Sequence, residues 1–347
     1  MASRKNQSRK VTILDVAREA GVSHATVSRV LNQSAYVDPE KQQRVIQAMM
    51  SLGFSVNQHA RSLVSNRSHM VGIIVEGISS GYNTQYDGPI LTGAQAVLSE
   101  QQNNLILYNA ALYKTNKTAY ITTLTRGLAD GFLLLLPDDI RTYTDILRKH
   151  HTPYVTIDHQ IIDDPGAAVR STNRQGAYDA ASYLLDLGHR RIGFITGHIE
   201  WGCSLERLAG YKAALTERGL AVDPTLIQEG NFTQWKGYSD AQALLDLPEP
   251  PTAIFAANDS SAFGVMEAVR DRHLRIPDDI SVVGFDDLTA AAHVHPPLTT
   301  VHQPLERIGR TAAEMILEYI QDPELPPRIV ELPTELVIRG SCQSLER

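Results

Sequence analysis

The chain has 347 residues, 43% of them apolar, and a formal net charge of −7. That length exceeds one ordinary core and predicts two or three domains, and the apolar fraction excludes a disordered chain. The charge is uneven: residues 1–68 hold ten basic against four acidic side chains (+6), leaving 22 against 35 (−13), so the first part wants a polyanion and the remainder does not.

The two cysteines, Cys203 and Cys342, are far apart and in no metal-ligand spacing. Neither a disulfide framework nor a zinc site is expected, and no cofactor motif appears. The basic start MASRKNQSRK runs into VTILDVAREA, whose Asp15, Arg18 and Glu19 break any signal-peptide apolar region. No apolar run approaches the roughly 18 to 20 residues that span a bilayer. The expectation is a cytoplasmic protein without membrane attachment.

Residues 1–10 read as a basic arm, disordered until bound. Three short helices follow, at about 13–20, 24–32 and 39–51. Asp38 and Pro39 start the third and Gly53 ends it. Between the first two, Gly21 supplies the positive φ of a sharp turn and Ser23 caps the next helix, which is helix-turn-helix spacing. In GVSHATVSRVLN, Val27, Val30 and Leu31 fall with Val22 on one side of the helix. His24, Ala25, Ser28, Arg29 and Asn32 fall on the other. One face packs and the other is presented.

The polar connector FSVNQHARSLVSNRS holds one helix-compatible piece, Asn57 to Val64, too short to stand alone in water. From residue 70 the pattern becomes apolar runs alternating with amphipathic stretches: MVGIIV, NLILYNA, DGFLLLL, PYVTID, RRIGFITG, TAIFAAN and SVVGFD. This alternation predicts parallel sheets flanked by helices, and about 270 residues suffice for two such lobes. The predicted organisation is an arm over 1–10, a headpiece over 11–54, a hinge and linker over 55–68, and a two-lobed domain over 69–347.

TILDVAREAGVSHATVSRVLN, followed by Tyr36-Val37, Glu40, LGF and NQHARSL, closely resembles the lactose/galactose repressor (LacI/GalR) family of bacterial transcription regulators. The resemblance continues through LGHRRIGFITG, RLAGYKAAL, PTAIFAAND, IPDDISVVGFDD and PPLTTVHQPL. It implies an all-α helix-turn-helix headpiece, a hinge helix, and an α/β effector domain like a type I periplasmic sugar-binding protein. In that fold three crossings join two lobes that close on a ligand.

The resemblance makes His24, Ala25 and Arg29 the base readers, Arg29 suiting guanine O6 and N7. Thr12, Ser23, Thr26, Ser28 and Asn32 are groups of the sort that hold phosphates. It also implies that Leu63 inserts between base steps of the minor groove, with Asn57 in the same hinge segment, Ala60 letting two hinge helices approach, and Arg61 reaching a phosphate. For the effector, Asp158, Asn258 and Asp286 each follow an apolar strand, where open α/β sheets collect ligand-binding groups. The resemblance adds Arg207 and an aromatic face from Phe232; Trp235, three residues on, is an alternative stacking surface. In EGISSGYNTQYDGP the family's usual proline-aromatic pair is missing, and Tyr82, Tyr86 and Asp87 stand there instead.

The leading expectation is therefore a sequence-specific repressor of carbohydrate-utilisation genes, acting as a homodimer on a near-palindromic double-stranded DNA operator, with affinity set by a small saccharide. A purine or nucleoside effector is the near alternative. A sugar-binding transport protein lacks its export signal here, and a sugar-acting enzyme using Asp158 and Asp286 finds no P-loop, G-x-G-x-x-G or metal cluster to support it.

Overall fold

A computed structural model describes residues 11–32, 36–54, 67–75, 84–110, 121–122, 124–135, 140–158 and 166–345. The chain divides into two compact units, residues 1–67 and 68–347.

The first unit holds α1 (Ile13–Glu19), α2 (His24–Asn32) and α3 (Pro39–Leu52). Thr12 starts α1 with a capping box, taking the Asp15 amide while its own amide and hydroxyl donate to the Asp15 carboxylate at 2.9 and 2.6 Å. Gly21 turns the chain at φ 61°, and Ser23 Oγ then accepts the Thr26 amide at 3.1 Å. Asp38 caps α3 with Pro39 in its first turn, and Gly53 closes it in the left-handed region. Small and β-branched side chains fill the core: Val16, Ala17, Ala20, Val27, Val45 and Ala48.

The second unit comprises two lobes. Lobe one is a parallel sheet of β1 (Met70–Val75), β2 (Asn104–Asn109), β3 (Gly131–Leu135), β4 (Tyr154–Ile157), β5 (Ala168–Ser171) and β11 (Ile329–Leu332), in the order β11-β5-β4-β3-β1-β2. Val71, Ile73, Val75, Leu133 and Leu135 pack beneath α4 (Thr84–Glu100) and α10 (Leu305–Gln321). The alternate residues Ile74, Phe132 and Leu134 pack with α5 (Ile140–Lys149) on the other face. A strand covered on both sides has no polar face to keep. Helices α4 and α10 touch at backbone distance, since a Cβ on Gly309 would lie 2.0 Å from the Ile90 carbonyl oxygen.

Lobe two is a parallel sheet of β6 (Ile192–Ile195), β7 (Ile227–Gln228), β8 (Ala253–Ala256) and β9 (Ser281–Val283), in the order β7-β6-β8-β9. Helices α6 (Asn173–Asp186) and α7 (Gly202–Glu217) cover one face over Phe194 and Phe255. Helices α8 (Gln234–Leu245) and α9 (Asp259–Asp271) cover the other over Ile195, Ile254 and Ala256.

Three crossings join the lobes: between β5 and α6, between β10 (Thr300–His302) and α10, and between β11 and β12 (Glu335–Val337). They are tied side by side. The Thr172 and Thr334 hydroxyls lie 3.0 Å apart, the Thr172 amide donates to the Leu332 carbonyl at 3.0 Å, and Ser171 Oγ donates to Gln303 Oε1 at 2.6 Å. All seven strands expected from apolar runs are present; β5, β7, β10, β11 and β12 are additional.

Candidate functional site

In the first unit, α2 buries Val27 completely and leaves His24, Ala25 and Arg29 exposed, with Thr26 and Ser28 partly so, and Ser23, just before the helix, is exposed as well. This division follows from the 3.6-residue period, which puts Val27 on the core side and its polar neighbours outward. The hydroxyls of Ser23 and Thr26 bond each other at 2.9 Å. The Thr12 hydroxyl, expected to hold a DNA phosphate, donates to the Asp15 carboxylate within the cap, although the residue stays exposed. Asn32 is the last residue of α2, and Asn57, Ala60, Arg61 and Leu63 lie outside the described residues.

In the second unit, Asp158, Arg207, Phe232 and Asp286 converge between the lobes. Arg207 projects from α7 and is 2% exposed. Its Nε donates to Asn173 Oδ1 at 2.8 Å and its Nη1 to the Ala257 carbonyl at 2.6 Å. Its Nη2 lies 3.6 Å from Asp158 Oδ2 and its Nη1 3.7 Å from Asp286 Oδ1. The guanidinium stacks 3.8 Å from the Phe285 ring centroid, with the Phe232 ring at 5.8 Å. One cation thus bridges a carboxylate from each lobe.

Each carboxylate is held by further donors. Asp158, just past β4, accepts from Tyr86 Oη at 2.9 Å and from Asn173 Nδ2 at 2.9 Å. Asp286, past β9, accepts from Gln303 Nε2 at 2.8 Å. Asp158, Phe232 and Asp286 all have positive φ, at 52°, 66° and 122°, a conformation that costs non-glycine residues on the order of 1–3 kcal/mol each and clusters at functional sites.

Phe232 is 8% exposed and Trp235 is 74% exposed, so Phe232 faces the interior. Its ring sits where a Cβ on Gly197 would be, 1.9 Å from Cζ, so glycine is required there. Trp201 at 5.5 Å and His198 at 6.2 Å complete an aromatic wall. Asn258 spends both polar groups internally, capping α9 through the Ser261 amide at 3.0 Å and donating to the Phe232 carbonyl at 3.1 Å. It shapes the wall from behind.

Burial pushes the Asp286 carboxyl up to about 7, against the pull of Arg207. The folded chain therefore binds a proton there that the unfolded chain releases near the ordinary value of 3.8. The sign follows: stability from this group is greatest at low pH and is lost as pH rises from about 4 to about 7. Asp286→Asn should accordingly gain on the natural protein between pH 5 and pH 8 in urea-unfolding midpoints. A difference that does not move with pH would place the titration elsewhere.

Asn173, Gln303, Trp201, His198 and Phe285 were not singled out by the sequence. Their types are common in ordinary loops and cores, and only the crossings bring them together.

A helix-turn-helix unit with an outward polar helix, joined to a two-lobed α/β unit with a buried ionic site between its lobes, defines an effector-responsive DNA-binding regulator. Residues 12–57 match the model for bacterial regulatory proteins of the lacI family, and residues 181–342 match that for periplasmic binding protein-like domains. The HTH-type transcriptional repressor PurR of Vibrio atlanticus is 34% identical over 96% of this chain and 99% of its own. The transcriptional regulator CelR in complex with cellobiose is 32% identical, covering 95% and 99% of the two chains with a TM-score of 0.75. The lac repressor dimer bound to operator and the anti-inducer ONPF is 26% identical, covering 96% and 100% with a TM-score of 0.82. The chain belongs to the LacI family and is a DNA-binding transcriptional regulator. Among the described residues, no helix is long and apolar enough to cross a membrane.

Proposed function

We propose that the chain is a cytoplasmic repressor of carbohydrate-utilisation genes that binds a near-palindromic operator as a homodimer, its affinity altered by a neutral saccharide held between the lobes. The observation that carries the ligand class is the cluster itself: one buried guanidinium between Asp158 and Asp286, beside an aromatic wall of Phe232 and Trp201. Carboxylates and a guanidinium offer acceptors and donors for sugar hydroxyls, and rings cover the C–H face. Two carboxylates against one cation disfavour phosphorylated or acidic ligands. The sugar-bound relative, CelR with cellobiose, agrees.

Asp158 and Asp286 act here as binding groups and not as acid and base, as suits a chain whose relatives are transcriptional regulators. His24, Ala25 and Arg29 read bases, while Thr12, Ser23, Thr26, Ser28 and Asn32 hold phosphates. Asn57, Ala60, Arg61 and Leu63 serve the hinge in the minor groove. A ligand that binds the closed lobes better than the open ones shifts the population and with it operator affinity.

A purine or nucleoside is the second reading, favoured by the 34% identical repressors named PurR. Thermal-shift titration with saccharides and with purines and nucleosides separates the two, because a ligand of the folded state raises the melting temperature. The expected result is a shift from a saccharide that also changes binding to an operator selected from random DNA. Shifts from purines or nucleosides alone would overturn the saccharide reading and leave DNA binding intact.

A further inference from the structure

One side chain holds the end of the linker. Ser68, the first residue of the second unit, donates its amide and its hydroxyl to Asp130 Oδ1 at 2.7 and 2.8 Å. The His69 amide donates to Asp130 Oδ2 at 2.8 Å. Both carboxylate oxygens thus grip successive residues that precede β1, and hydrogen bonds to a carboxylate are of the strong kind. The Ser68 hydroxyl in turn accepts the Met70 amide at 3.2 Å. His69 is held at φ 55°, a left-handed conformation that a non-glycine residue keeps where its surroundings fix it.

The anchor is itself firmly placed. Asp130 immediately precedes β3, and its amide donates to the Met70 carbonyl at 2.8 Å, which extends the pairing of β1 with β3. On the other flank the Asn104 amide donates to the His69 carbonyl at 2.9 Å, beside the pairing of β1 with β2. Gly131 is buried against α10, where a Cβ would lie 3.0 Å from Ile316 and from Ile320. The helix that leaves the second crossing therefore packs on the base of the carboxylate that holds the linker. The ladders alone secure β1; the Asp130 side chain adds a grip on the two residues before it.

We propose that Asp130 is a positioning residue for operator binding, because it fixes the point from which the linker leaves the effector domain. This rests on the reading of residues 55–68 as hinge and linker. Freeing Ser68 and His69 leaves their backbone to be ordered each time a dimer engages both half-sites, which lowers operator affinity. Binding to unselected DNA, which demands no fixed placement of two headpieces, keeps its strength.

Anisotropy titrations of the full chain test this, with an operator selected by the natural protein from random DNA and with an unselected duplex. In either orientation of its amide, Asp130→Asn turns a donor toward one set of the incoming N–H groups. It should weaken operator binding by about tenfold and leave the unselected duplex unchanged. Electrostatics alone would act the other way, because removing a carboxylate from a protein of net charge −7 strengthens binding to both duplexes. Ser68→Ala keeps its amide bond and should weaken operator binding less. The double variant should be no weaker than Asp130→Asn alone, since two substitutions in one interaction do not add. Ile308→Val, which trims the core of the same lobe about two turns before Ile316 on α10, should leave operator affinity unchanged. Operator affinity that holds or rises in Asp130→Asn, losses that add in the double variant, or an equal loss in Ile308→Val would overturn the proposal and leave operator binding standing. If the natural protein selects no preferred sequence, the operator reading falls and this proposal with it.

Discussion

Arg207→Ala should abolish the effector response and destabilise the effector domain by roughly 3–5 kcal/mol, the usual result of removing one partner from a buried ion pair. The residue is 2% exposed, and its loss leaves Asp158 and Asp286, both 2% exposed, without their shared cation. It also removes the donors to Asn173 Oδ1 and the Ala257 carbonyl, leaving two buried acceptors without that partner. Asp286 is already pushed up to about 7 with Arg207 present. Without it the carboxyl moves higher, so the variant should recover stability at pH 5.5 relative to pH 8. Arg207→Lys keeps the charge but not the planar fork that reaches four partners, so it should fall between the two. Urea unfolding at both pH values, with operator titration in the presence and absence of saccharide, reads these effects. A variant within about 1 kcal/mol of the natural protein would mean that the cluster is wet and loosely held.

How far the fold was legible follows from where each strand's information lies. MVGIIV and DGFLLLL became β1 and β3 because sheets covered on both faces need continuous apolar runs, and such runs are local in sequence. β11 carries no such run: IVEL lies at the sheet edge with Ile329 and Glu331 exposed. It is placed by pairing with β5, some 160 residues earlier, and by the Arg170–Glu331 ion pair across that register. No local window contains that contact. The same holds for β10 and β12, which exist because the crossings run side by side.

The site divides similarly. Asp158 and Asp286 were legible as carboxylates that end apolar strands. Arg207 and Phe232 rested on the resemblance, because an arginine on an amphipathic helix looks solvated until the helix is packed. Asn173 and Gln303 had no local signal. Each gains its role only from the crossing on which it sits, Asn173 bridging Asp158 to Arg207 and Gln303 bridging Ser171 to Asp286. These four hydrogen bonds tie both carboxylates to the segments by which the chain passes from one lobe to the other.

Arg29→Ala should cost operator affinity about 1–3 kcal/mol per half-site, and about twice that over both half-sites of a dimer. The loss should come with the headpiece still folded, because Arg29 is exposed while Val27, two residues before it, carries the packing, and alanine is the best helix former. The distinction to be drawn is between reading a base and holding a phosphate. A guanidinium on guanine O6 and N7 discriminates at one base pair, so its removal should relax preference at that position alone and leave the salt dependence nearly intact. A phosphate contact would instead weaken all sequences alike and reduce the salt slope by about one. Selection from random DNA at two salt concentrations, run on the natural protein and the variant, separates these outcomes. Uniform loss across sequences with a shallower salt slope would move base reading to His24 and Ala25 at the start of the helix, where the exposed first turn is best placed to reach the groove floor.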